Sequence, residues 1–137
     1  MAGHNPNWMA AGNILPSVFI TPYTSGDNRV IQATLNSMVV GISHPDTRQA
    51  PIPSASTYHA ISGDPVAAYG PGEQGLLSYG GSITRGARIK SDANGAGITI
   101  GTTGIAQNQG AIALESGSAA ELHNVLVQPQ LMPASAS

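Results

Sequence analysis

Hydrophobic positions along this chain come in short runs, cut by turn-forming residues before any helix could gather several turns. The longest stretch free of Gly and Pro is DNRVIQATLNSMVV, Asp27 to Val40, and there alone Ile31, Leu35 and Met38 recur at helical spacing. Asn28, Thr34, Asn36 and Ser37 favour turns and caps, and the pairs Val30-Ile31 and Val39-Val40 are β-branched. The pattern predicts two short strands joined near Asn36-Ser37. Further strands are expected at Thr57 to Ile61, Pro65 to Tyr69, Gly75 to Tyr79, Ala87 to Lys90, Gly97 to Ile100, Gly110 to Leu114 and Leu122 to Val127. Between them stand Ser62-Gly63-Asp64, Gly70-Pro71-Gly72, Gly80-Gly81, Asn94-Gly95 and Ser116-Gly117-Ser118. One competing reading is a helical turn over Ser118 to Asn124, where Ser118 and Glu121 have the spacing of a capping box. The fold class expected is mainly β, a small compact barrel or sandwich.

The two ends lack this rhythm. Residues 1–16 read as an extended N-terminal arm and residues 128–137 as a C-terminal tail, leaving a β-rich domain over 17–127. The single Trp, Trp8, lies in the arm, where it marks either a disordered end or an anchor for a partner's pocket. A weak internal echo is also present: MVVGISHPDT (Met38 to Thr47) precedes GDPVAAY, and GAIALESGS (Gly110 to Ser118) precedes AELHNVLV. In each case an apolar strand leads, through a polar loop, to an acidic residue and another strand, as a duplicated β unit would.

Length and charge narrow the function classes. A chain of 137 residues fits one domain. Only 9% of its residues are charged, against about 25% in an average protein. The formal net charge of -2 supplies no electrostatic footprint for nucleic acid or anionic lipid. So uncharged a surface predicts self-association or coverage by a partner. With no Cys, disulfides, thiolate metal sites and a cysteine nucleophile are excluded. No signal-peptide pattern or membrane-length apolar run is seen, so the expectation is a soluble product not exported by that route.

Candidate chemistry was sought in GSITRGARIKSDANGAGITIG, Gly81 to Gly101. Its SDANG segment lacks the spaced ligands and closing Glu of a calcium loop, and GGSITRG lacks the Gly-Lys-Ser/Thr of a phosphate loop. Asn94-Gly95 instead predicts a tight hairpin turn in which both residues tolerate positive φ. Alternation places Arg88 and Lys90 on one strand face, opposite Ala87 and Ile89. With Arg85 they form either a solvated strand edge or a contact patch for an acidic partner. SHPDTR brings His44, Asp46 and Arg48 together in a polar turn, while His59 and His123 fall in predicted strands and His4 in the arm. Aromatic residues at 4% are too few for sugar-binding platforms. No cofactor, metal or catalytic residue is assigned.

Read in order, DNRVIQAT, VVGISHPDTRQAPIP, AISGDPVAAYGPGEQGLLSYGGSITRGARIKSDANGAG and GAIALESGSAAELHNVLV resemble successive blocks of the capsid decoration, or cement, proteins of tailed bacteriophages, over about residues 27 to 127. The resemblance implies a non-enzymatic virion protein on the outer capsid surface that reinforces contacts between major capsid subunits. Its implied partners are the major capsid protein and other copies of itself, as a trimer, with neither nucleic acid nor membrane. Trp8, Arg85, Arg88 and Lys90 are the contact residues expected. Two other readings stay open: a tail- or fibre-associated β adhesin, and a small β-domain hydrolase using His44, His59 or His123 with Asp46 or Asp64.

Overall fold

The structure, a computed structural model, describes residues 8–23, 28–45, 58–100 and 107–132. Among them every regular element is a strand. The first five are β1 (Met9–Ala10), β2 (Phe19–Pro22), β3 (Arg29–Gln32), β4 (Gly41–Ser43) and β5 (Ala68–Tyr69). The second five are β6 (Gln74–Ser78), β7 (Arg88–Ser91), β8 (Gly97–Thr99), β9 (Gln107–Ala113) and β10 (Leu122–Met132). They form two five-stranded sheets, ordered β1-β3-β2-β4-β5 and β6-β10-β9-β7-β8.

Each sheet curls toward closure. In the first, Met9 bridges Pro65 just ahead of β5; in the second, Tyr79 just after β6 bridges Gly97 at the start of β8. Followed around the curl from β1 and from β6, the two sheets have the same ring order. The hydrogen bonds also correspond. Ala10 N–H donates to Asp64 O and Ala10 O accepts from Gly63 N–H, each at 2.8 Å, as Tyr79 N–H does to Glu121 O and Tyr79 O from Ala120 N–H at 2.8 Å. Ile14 bridges Ala60 as Ile83 bridges Gly117, and Phe19 pairs with Ile42 as Arg88 pairs with Ile112. Left-handed backbone falls at matching places too: Ser17 and Gly86 before β2 and β7, Asn28 and Gly95 before β3 and β8, Gly63 and Ala120 in the turns ahead of the last strand. The chain is thus one five-stranded unit built twice, and the echo seen in sequence marks its fourth and fifth strands.

The cores follow from this repeat. Ala10, Ile14, Val18, Ile20, Val30, Ala60, Val66 and Ala68 fill the first unit. The second is filled by Leu77, Tyr79, Ile83, Ile89, Ala111, Ala113, Val125 and Val127. Phe19, Ala33, Val39 and Ile42, from the outer face of the first sheet, belong to the second cluster and join the units. Strand β2 is therefore buried on both faces, which is why Val18-Phe19-Ile20 reads as a continuous apolar run without alternation.

Several boundaries differ from expectation. Within the segment read as an arm, β1 pairs in parallel with β3, and Ala10 and Ile14 are wholly buried, because the first sheet needs them to close. Strand β10 runs to Met132, into the segment read as a tail, since β9 begins at Gln107 and offers it partners that far. Of Thr57 to Ile61, the described residues contribute the Ala60 bridge, and Pro65 to Tyr69 contributes the Pro65 bridge and a strand of its last two residues. Over 118–124 there is no helical turn. Glu121 does bond back to Ser118 N–H at 2.9 Å, as in a capping box, but Ala120 at φ 69° turns the chain into β10.

Candidate interaction surface

Two of the five basic residues, Arg88 and Lys90, lie on β7. Arg88 is exposed, Ile89 buried, Lys90 half-buried and Ser91 buried, the alternation the sequence predicts. Arg88 Nη1 donates to Gln109 Oε1 at 2.7 Å and Lys90 Nζ to Gln107 Oε1 at 2.8 Å. Both glutamines are buried, and Gln109 also donates to Gln128 O at 2.9 Å. Two cations are thus oriented by neutral amides, which fix their position without neutralising them. Arg85 stands in the exposed turn ahead of β7, its backbone N–H donating to Ser116 Oγ at 2.9 Å.

Three of the described carboxylates each accept from backbone N–H groups within four residues. Asp64 accepts from Ile61 N–H, Glu73 from Gly70 N–H, and Asp92 Oδ1 from Asn94 and Ala96 N–H at 2.8 and 2.9 Å. The last of these revises the β7–β8 turn. Only Gly95 has positive φ, 81°, so the connection is a three-residue loop, Ala93 to Gly95, stapled by Asp92. Asp92, tested as a calcium ligand in the sequence, is an Asx-turn residue.

Beside the strip lies an apolar prominence. Leu35 and Met38 are 61% and 62% exposed on the turn after β3. That turn is fastened to the second sheet: Asn36 N–H donates to Ser91 O at 3.0 Å, Asn36 Oδ1 accepts from Asn108 N–H at 2.8 Å, and Asn108 Nδ2 donates to Asn36 O at 2.9 Å. Ser91 and Asn108 adjoin Lys90 and Gln107 in sequence, so prominence and strip are contiguous. Presenting large apolar side chains on a pre-ordered turn lowers the entropic cost of docking. An open groove of about 400 Å³, lined by residues including Leu15, Ile31, Gln32 and Tyr58, runs along the first unit.

Trp8, the remaining expected contact, is half-buried and packs on the core of the first unit, its carbonyl accepting from Val66 N–H at 2.9 Å. His59 is buried and its Nε2 accepts from Ala67 N–H at 3.1 Å; the His44 ring lies 4.4 Å from Tyr69 and 6.4 Å from His59. His123 belongs to the other unit, between Glu115 and Glu121. His4, Asp46 and Arg48 lie outside the described residues. Among the described residues no group of three or more acidic or His side chains is arranged to hold a metal ion. The glutamines were not singled out in sequence, since only pairing across strands gives Gln107 and Gln109 a role.

No family model matches this chain, and no curated protein matches it. Among solved structures it is similar to the N base of the head fiber gp8.5 of bacteriophage phi29. That likeness has a TM-score of 0.52 at 16% identity, covering 90% of this chain and 92% of that one. The likeness is one of fold.

Proposed function

We propose that this chain is a structural protein of a phage head, and more narrowly a decoration, or cement, protein. In this reading it sits on the outer capsid surface and reinforces contacts between major capsid subunits. The observation that carries the reading is the likeness of fold, over nearly the whole chain, to the base of a phage head fiber. The order of sequence blocks between residues 27 and 127 supports the narrower form, as does a surface with a pre-ordered apolar turn and cations held by neutral glutamines.

Arg85, Arg88 and Lys90, with Leu35 and Met38, are the residues assigned to the capsid contact. A protein that binds only the assembled shell stabilises it by mass action. Trimeric association would multiply modest contacts, because one protomer's release leaves the others attached. The role calls for no cofactor and no catalytic residue.

Cryo-electron microscopy of the particle tests this directly. Density for the chain on the outer face of the shell, contacting at least two capsid subunits, is expected; density inside the shell, in the tail, or nowhere overturns the proposal. Density continuing outward from the head into a fibre would favour a second reading, a fibre base, which the same likeness of fold supports. Mass photometry of the purified chain tests the trimer.

A further inference from the structure

The second unit carries a charged cluster centred on a histidine where the first has a valine, while Asp64 of the first unit holds the place of Glu121. The position of Val66 is taken by His123 and that of Ala10 by Tyr79, as the matching hydrogen bonds establish. The His123 side chain is 22% exposed, with Nδ1 2.9 Å from Glu115 Oε1 and Nε2 2.9 Å from Glu121 Oε1. A neutral imidazole has one N–H and would turn a lone pair on one of these oxygens; imidazolium donates to both. The ring is tightly seated. Tyr79 lies against it at 5.0 Å between centroids, and a Cβ on Gly117 would come within 2.2 Å of its Cδ2 and Nε2.

The rest of the cluster is arranged around the same ring. Glu115 also accepts from the backbone N–H and side-chain amide of Asn124, at 3.1 and 3.2 Å, and Glu121 from Ser118 N–H at 2.9 Å. Tyr79 Oη donates to the Glu115 carbonyl at 2.7 Å. Glu115 and Glu121 stand near opposite ends of the β9–β10 connection, so the ring between them draws that loop together. The connection in turn carries its neighbour: Gly117 and Ile83 exchange hydrogen bonds of 2.9 and 3.0 Å, and Ser116 Oγ holds Arg85 N–H.

We propose that His123 is a proton-operated clamp: imidazolium held between Glu115 and Glu121 closes the β9–β10 connection and fixes the Arg85 turn, and loss of its proton releases both. The hydrogen bonds that Glu121 and then Glu115 accept from the ring raise the His123 pKa above its ordinary value. The hydrogen bond to His123 is likewise the first cause lowering both carboxylates, followed by Asn124 N–H for Glu115 and Ser118 N–H for Glu121. Burial, then the Glu115 charge, raise Tyr79, which remains a neutral donor. The clamp is closed from above the carboxylate titrations up to that of His123.

Nuclear magnetic resonance on the full-length chain tests the clamp without any partner. Ring nitrogen shifts should show both nitrogens protonated in the closed form and a His123 pKa above that of a free histidine. Amide exchange at Ile83, Arg85 and Gly117 should accelerate several-fold, beyond its ordinary base-catalysed rise, as His123 loses its proton, while β2 and β4 keep their protection. E121Q should lower the His123 pKa and carry the exchange midpoint with it. A wild-type His123 that titrates at or below the free value overturns the proposal, whatever the variant does, and so does an exchange midpoint that ignores the titration.

Discussion

Phe19 and Arg88 hold the same position in two copies of one unit and meet opposite fates. Each opens the second strand of its unit and pairs with an isoleucine of the fourth, Ile42 or Ile112. Phe19 is fully buried because the second unit covers the outer face of the first; Arg88, at the same position of the second unit, is exposed. In a repeat built by stacking, a face packed on its neighbour is apolar and a face left to solvent is polar. The β7 cations therefore stand where the first unit carries a residue of the joint. Their use in binding is the role proposed above.

The comparison breaks most sharply at Phe19. Phe19→Ala should cost about 3–5 kcal/mol in chemical denaturation, since it empties the joint between the units. Two separated transitions in that variant would show that the units fold independently once the joint is lost. Next in size, Ile14→Ala and Ile83→Ala should each cost about 2–4 kcal/mol and differ little, being buried at equivalent bridges. A large gap between them would mean the repeat shares topology but not energetics. Removing residues 1–16 should unfold the first unit for the same reason, with loss of near-ultraviolet dichroism as the readout.

Smaller effects sharpen the differences between the copies. Asn36→Ala, which leaves Asn108 N–H without its acceptor, should cost about 1–2 kcal/mol and loosen the Leu35-Met38 turn. The His123 cluster has no counterpart in the first unit and should give the second a pH dependence of its own. Because the folded pKa of His123 is raised, its contribution is complete below the ordinary imidazole value of about 6.5 and disappears as pH rises through the folded value. The lowered carboxylates contribute above their ordinary range and lose that contribution as pH falls through their folded values. Denaturation midpoints measured across pH should lose the alkaline slope in His123→Gln. Least of all, Arg88→Ala and Lys90→Ala should change stability by no more than about 0.5 kcal/mol, with any loss confined to particle attachment.

Legibility differed between the units for physical reasons. In the second, β6 to β8 and the start of β10 fall within a residue or so of the runs expected, because three to five residues with one buried face show their alternation. In the first, β1 and β5 are two residues long and β2 is buried on both faces, so neither length nor period marks them. The turn expected near Asn36-Ser37 is present, but the second strand expected within Asp27 to Val40 lies beyond it, at Gly41–Ser43. The cluster around His123 was half legible. Ser118 and Glu121 carried a recognisable spacing, but Glu115 lies eight residues from His123 and meets it only when β9 and β10 pair.

By itself the sequence determined the β class, the places where the chain turns and the scarcity of charge. Those properties arise from propensities and compositions that act over a few residues. Tertiary structure alone decided that the duplication extends to all five strands, that Phe19 is covered where Arg88 is not, that Gln107 and Gln109 hold the cations, and that His123 sits between two carboxylates. Each of these depends on which surfaces meet after closure of the sheets, and residues far apart in the chain bring those surfaces together.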